Sequence, residues 1–234
     1  MGFDENKNKL IRICKGRKYT FLYEGQENSI FLKDEKLKNN EHQMKILEEV
    51  EYIKIDKYAM KIENSDSERF LVLPLDGGNG LFKKSNPRVS NEKDFKYDWI
   101  TDFKTRKKVT KNAGACDCLI LTGDFHFFEF KTNAFDIETN PNPAFNPVQA
   151  NQHRESAEKQ LARTITFFKE EASKKKIALE CSFFAVIVAL PTFPNIPTNI
   201  VDVSASLMNR KVRFWTQSQS NLIEISTENP YKIS

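Results

Sequence analysis

Long hydrophobic runs are missing from this chain. No segment approaches the roughly 18 consecutive apolar residues that a membrane-spanning helix needs, so no span is expected. The opening residues, MGFDENKNKLIR, are polar and lack the apolar centre of a secretion signal. Met1-Gly2 starts like an acylation site, but Asn6 stands where Ser or Thr is required. Cysteine is scarce. Cys14, Cys116, Cys118 and Cys181 lie mostly in apolar runs and are expected to be reduced thiols of a cytoplasmic protein. Cys116 and Cys118 form a C-x-C with no second pair, which argues against a zinc site. Glycine is scarce too. The one glycine-rich loop, DGGNG at 76–80, lacks the Lys-Ser/Thr of a phosphate-binding P-loop. Nor does one charge dominate: 36 basic against 32 acidic residues leave +4. Bulk charge therefore does not mark a nucleic-acid binder, and a basic surface must come from local clustering.

What is present is material for a core. Hydrophobic residues make up 39% of 234, with 19 Phe, enough for one large domain or a domain with an appendage. The lead is read as a meander of three short strands, KLIRICKG, KYTFLYEG and NSIFLKDE. NEHQMKILEEV at 40–50 reads as a helix on Met44, Ile46, Leu47 and Val50, followed by strands near 51–56 and 69–75. QANQHRESAEKQLARTITFFKEEASKKK, 149–176, is a long helix with the stripe Leu161, Ile165, Phe168 and Ala172. CSFFAVIVAL, 181–190, is continuously apolar and β-branched, as a strand buried on both faces is. Strands near 211–215 and 221–226 close the chain. This order predicts an α/β or α+β fold with a mixed sheet. Residues 1–38 are a β-rich module or an extension of that sheet, and 39–234 form the main domain. Five basic residues, Lys104, Arg106, Lys107, Lys108 and Lys111, cluster in FKTRKKVTK; they form either a solvated loop or a phosphate-contacting patch.

The chemistry lies in ACDCLILTGDFHFFEFKTN, 115–133. Two apolar runs flank a turn, yet they carry Asp117, Glu129 and Lys131. Burying such groups without partners costs several kcal/mol, as an order of magnitude. Alternation puts Phe125, Phe127, Glu129 and Lys131 on one face and His126, Phe128 and Phe130 on the other. With Thr122-Gly123-Asp124 as the loop, Leu121 meets Phe125 and Asp117 falls opposite Glu129. A two-residue loop would set Asp117 against Phe130 instead. Opposed carboxylates about 5 Å apart at Cβ repel unless a cation sits between them. Hard oxygen ligands suit magnesium or manganese.

Asp117, the hairpin and Glu129-Phe130-Lys131 resemble the PD-(D/E)xK nuclease superfamily, the restriction-endonuclease-like fold. Gly114 precedes the Asp as that motif's Gly does, and Cys116 replaces its Pro. Gln160-Leu161 on the long helix resembles the Gln motif of RecB-like members, with Thr164 where an aromatic is usual. The resemblance covers about 114–190. It implies a restriction-endonuclease-like core and a metal-dependent phosphodiesterase. Asp117, Glu129 and the backbone carbonyl of Phe130 would hold Mg²⁺ or Mn²⁺. Lys131 would orient water or stabilise charge, and Gln160 would orient the site. Glu48 or Glu49 is the candidate for an additional acid. His126 faces away by parity and is expected to be structural. His153 reads as a surface residue, and Lys159 as either helix surface or a site lysine.

The expected function is a DNA endonuclease, with DNA favoured over RNA, as an effector of a prokaryotic defence or restriction system. The alternative is a non-enzymatic nucleic-acid-binding or scaffolding subunit that keeps the nuclease fold. A homodimer or a place in a larger complex is expected, because one such site cuts one strand.

Overall fold

The computed structural model describes residues 2–37, 42–55, 58–82, 100–101, 108–109, 115–132, 147–190, 213–215 and 220–233. Its elements are α1 (Phe3–Ile13), β1 (Tyr23–Gly25), β2 (Ser29–Lys36), β3 (His42–Leu47), α2 (Glu49–Ile55), β4 (Ala59–Asn64), β5 (Phe70–Pro74), β6 (Ile100–Thr101), β7 (Lys108–Val109), β8 (Cys118–Leu121), β9 (Phe125–Phe130), α3 (Pro147–Lys174), β10 (Phe183–Ala189), β11 (Arg213–Trp215), β12 (Ser220–Ser226) and β13 (Tyr231–Ile233).

The fold is mixed α/β. A seven-stranded mixed sheet runs β1-β5-β8-β9-β10-β12-β11, and a four-stranded mixed sheet runs β13-β4-β2-β3. In the large sheet β5, β8 and β9 are antiparallel neighbours. The chain then crosses through α3 to β10, which lies parallel to both β9 and β12. One face carries α1 and α3 on Leu73, Leu119, Phe127, Ile187 and their neighbours. The small sheet covers the other face, packing Ile30, Leu32, Met60 and Ile62 on Val72, Ile120, Phe128 and Val186. Among the described residues, helices thus pack on one side of the large sheet, and a second sheet covers the other. β10 lies inside the sheet between β9 and β12, so its residues are apolar on both faces, as its sequence indicates.

Three early elements depart from the sequence reading. KLIRICKG is not a strand but the end of α1. Asn6, Leu10 and Ile13 are buried at helical spacing, with Asp4 and Glu5 in the first turn and Arg12 in the last, which suits the helix dipole. The segment 40–50 is not one helix: 40 and 41 lie outside the described residues, 42–47 are a strand, and 49–50 open α2. It contributes β3, which pairs with β2 from Phe31↔Leu47 to Lys36↔His42, so Met44 and Leu47 are buried on opposite faces. Of the strand expected at 51–56, the described residues 51–55 are not a strand either. They lie in α2, and the strand comes later as β4. Here pairing with distant strands overrides weak local periodicity.

Residues 1–38 are divided between the layers: α1 packs under the large sheet, β1 joins its edge on β5, and β2 pairs with β3 and β4. No helix among the described residues is long and apolar enough to cross a membrane.

Candidate functional site

The site is built on the β8–β9 hairpin. Leu121 pairs with Phe125 and Cys118 with Phe128, which is the register of the three-residue loop. Asp117, one residue before β8, therefore stands opposite Glu129. Its amide donates to the Phe128 carbonyl at 2.9 Å, and its Oδ2 accepts from the Phe130 amide at 2.6 Å. Phe125 and Phe127 anchor the same strand on the helix face by stacking on Phe183.

Glu129 is 2% exposed. Its Oε1 accepts from Lys131 Nζ, while Oε2 is buried with no hydrogen-bond partner among the described residues. Lys131 Nζ also donates to Gln160 Oε1 at 3.0 Å. Gln160 in turn donates to the Ala115 carbonyl at 3.3 Å. One turn on, Thr164 Oγ1 donates to the Gln160 carbonyl and accepts from the Cys116 amide at 3.0 Å. Thr164 thus clamps α3 to the strand that carries Asp117.

Burial pushes the Asp117 carboxyl well above its ordinary range. The charges of Glu129 and Asp34 add to this, while Lys131 and the Phe130 amide oppose it. Burial lifts Glu129 to about 7 against the pull of Lys131, with Asp76 and Asp34 adding to the rise. For Lys131, burial works against the ammonium, but Glu129, Asp117 and Asp34 outweigh it and hold the group charged.

Asp34 and Asp76 were not legible as site residues. Asp34 is 5% exposed at the end of β2, continuing the inward face of Ile30 and Leu32. That parity was the available signal. Asp76 follows β5, and its amide approaches the Asp117 carbonyl at 3.4 Å. Glu48 and Glu49, the acids expected from the sequence, are instead exposed where β3 gives way to α2, and the Glu48 amide is bonded to Glu51. The reason is the strand at 42–47, which replaces the expected helix.

His126 lies on the face away from Glu129. Its Nδ1 bonds the Tyr231 hydroxyl at 2.9 Å, its Nε2 lies 3.4 Å from Thr122 Oγ1, and the ring stacks on Phe184. Burial drops its pKa to about 3. His153 is half-buried on α3, and burial together with the Lys131 charge lowers its pKa. Lys159 is half-buried on the same helix. Farther across the same face, Glu224 of β12 shares a row with Ile187 and Glu129, and Arg154 of α3 pairs with it at 3.0 Å. Of the basic run, Lys104, Arg106, Lys107 and Lys111 lie outside the described residues, as does Gly114; Lys108 opens β7.

Two buried carboxyls, Asp117 and Glu129, thus share one ammonium in a setting that resists their ionisation, and the Asp34 and Asp76 charges act on Glu129 as well. Among the described residues, no three carboxylate, imidazole or thiol groups form a ready-made ion site. The chain matches no family model, no curated protein and no solved structure.

Proposed function

We propose that the chain is a metal-dependent nuclease of the PD-(D/E)xK type, hydrolysing phosphodiester bonds, with DNA as the favoured substrate. One observation carries this reading: Asp117 and Glu129 are opposed across one hairpin, with Lys131 and Gln160 bonded to each other beside them. Two further features support it. The β5-β8-β9 meander, α3 crossover and parallel β10 are the elements we read as a restriction-endonuclease-like core. The site also has a use for a divalent cation, because Glu129 Oε2 is buried without a hydrogen-bond partner and Asp34 and Asp76 add negative charge.

Asp117, Glu129 and the Phe130 carbonyl would hold Mg²⁺ or Mn²⁺. The ion would supply an acidified water and neutralise charge on the phosphate. The chain's own residues do the rest. Lys131, kept as an ammonium, stabilises the charge that builds on the non-bridging phosphate oxygens. Gln160 fixes the Lys131 amine, and Thr164 fixes the helix turn that carries Gln160. The basic run 104–111 is the proposed phosphate-contacting surface.

The four free thiols support a cytoplasmic setting, and a role as effector of a defence or restriction system, alone, as a dimer or in a larger complex, belongs to the same proposal. A second reading, a nucleic-acid-binding subunit that keeps the fold without catalysis, is favoured by one fact: Lys131 occupies Glu129 Oε1. Incubating the protein with circular duplex DNA, single-stranded DNA and RNA, in Mg²⁺, Mn²⁺ or EDTA, separates the two. Cleavage abolished by EDTA is expected. Binding without cleavage under every condition supports the subunit instead.

A further inference from the structure

Beyond the carboxylates and Lys131, the small sheet on the other face brings an Asp–His pair toward the end of the large sheet where Asp117 stands. β2 and β3 form a hairpin whose far end pairs Lys36 with His42 and Asp34 with Met44. His42 Nδ1 donates to Asp34 Oδ2 at 2.7 Å. The Asp34 side chain is 7% exposed and that of His42 39% exposed, so the pair runs from the interior to the surface. Its inner member lies close enough to the carboxylate site for its charge to act on Asp117, Glu129 and Lys131 alike.

The DGGNG loop fixes that position. Leu75 and Asp76 donate to the Asp117 carbonyl at 2.8 and 3.4 Å. Two residues on, the Gly78 amide donates to the His42 carbonyl at 2.9 Å, and Asn79 Nδ2 reaches the Met44 carbonyl at 2.8 Å. Gly77 has φ +81°, and a Cβ there would lie 1.9 Å from the His42 carbonyl oxygen, so no other residue fits. One short loop therefore ties the backbone of His42 to the backbone of Asp117.

We propose, resting on the nuclease reading, that His42 held by Asp34 is the general acid of the hydrolysis, protonating the leaving sugar oxygen. In the imidazolium form Asp34 takes Nδ1–H, which leaves Nε2–H of the half-exposed ring as the proton to be given. In the step, the water oxygen forms a new bond to phosphorus and gives up its proton to solvent. The scissile P–O bond breaks, its electron pair stays on the leaving oxygen, and that oxygen takes the Nε2 proton. The neutral imidazole is then reprotonated from solvent, so the cycle balances. The Asp34 hydrogen bond raises the proton affinity of His42 against burial. Among the charged groups around it, Asp34 and Asp76 add to the rise and Lys36 opposes it.

A bridging phosphorothiolate substrate, with sulfur as the leaving atom, tests the assignment, because a thiolate departs without an acid. His42→Asn keeps a donor where Nδ1 stands, and His42→Gln serves as a second variant; both are assayed with Mg²⁺ on oxygen and sulfur substrates. Loss of a general acid is expected to slow the oxygen substrate by about 10²- to 10⁴-fold. The sulfur substrate is expected to change less than about 3-fold, and only the oxygen reaction of the wild type should decline on the alkaline side. Equal slowing on both substrates, or no slowing on either, overturns the role of His42 and leaves the nuclease reading standing. No metal-dependent cleavage by the wild type overturns the nuclease reading, and the role of His42 with it.

Discussion

Asp117 and Glu129 oppose each other across the β8–β9 hairpin, and Lys131 bonds to the pair through Glu129. The arrangement costs stability in order to concentrate negative charge. Glu129 keeps its proton up to about 7 in the folded chain, against an ordinary value of 4.5. The folded state thus binds more protons between those values, and this group's contribution to stability falls as pH rises from 4.5 to about 7. At pH 8 and without divalent ions, Glu129→Gln should be more stable than the wild type by roughly 3 kcal/mol, at ~1.4 kcal/mol per pKa unit. Below pH 4.5 the gain should vanish. Mg²⁺ should raise the melting temperature of the wild type at pH 8 and leave the variant unchanged. Thermal melts across pH, with and without Mg²⁺, check all three.

His126 works in the opposite direction. It is neutral when folded, with a pKa near 3, while the unfolded chain takes up a proton below 6.5. Stability from this group is complete above 6.5 and is lost as pH falls toward 3. His126→Asn should cost about 1–2 kcal/mol at pH 7 through its lost packing and hydrogen bonds. Its stability should then decline less steeply than that of the wild type between pH 6.5 and 4. Urea unfolding at several pH values measures the slope.

In the Arg154–Glu224 pair the carboxylate is buried and the guanidinium mostly so, at 4% and 13% side-chain exposure. Arg154→Met would strand the Glu224 carboxylate and should destabilise by roughly 3–5 kcal/mol. Replacing both, Arg154→Met with Glu224→Leu, should recover most of that loss. A double-variant cycle by chemical denaturation gives the coupling directly.

Thr164 is a small residue with two bonds to keep. Thr164→Val preserves its shape but leaves the buried Cys116 amide without an acceptor, at a cost of about 1–3 kcal/mol. It should also loosen Gln160, and through it Lys131, so cleavage should slow more than the stability loss explains. Activity measured well below the variant's melting temperature separates the two effects.

The parts of the fold legible in the sequence are those held together locally. The hairpin alternates cleanly from Asp117 to Lys131, Leu161, Ile165 and Phe168 mark α3, and β10 is apolar on both faces because both are covered. The small sheet was legible only at β2, since 42–47 reads as helix and β13 joins β4 from the far end of the chain. Tyr231 of β13 lies parallel to Ile62 of β4, and no local pattern announces that pairing. The same distance hid Asp34 and His42. They reach the site only because β2 and β3 form a hairpin and the DGGNG loop ties its end to Asp117. α1 was misread because Leu10, Arg12 and Cys14 alternate in a way that also suits a strand, and only its buried partner Asn6 restores the helical spacing.

The measurement that bears most directly on this account is nicking of supercoiled DNA by wild type, Glu129→Gln and Lys131→Ala, in Mg²⁺ and in EDTA, with folding of each variant verified by its melting curve. The account predicts Mg²⁺-dependent nicking by the wild type, at least about 10²-fold slower in either variant although Glu129→Gln is the more stable protein. Cleavage that persists in EDTA, or at an undiminished rate in Glu129→Gln, would contradict it.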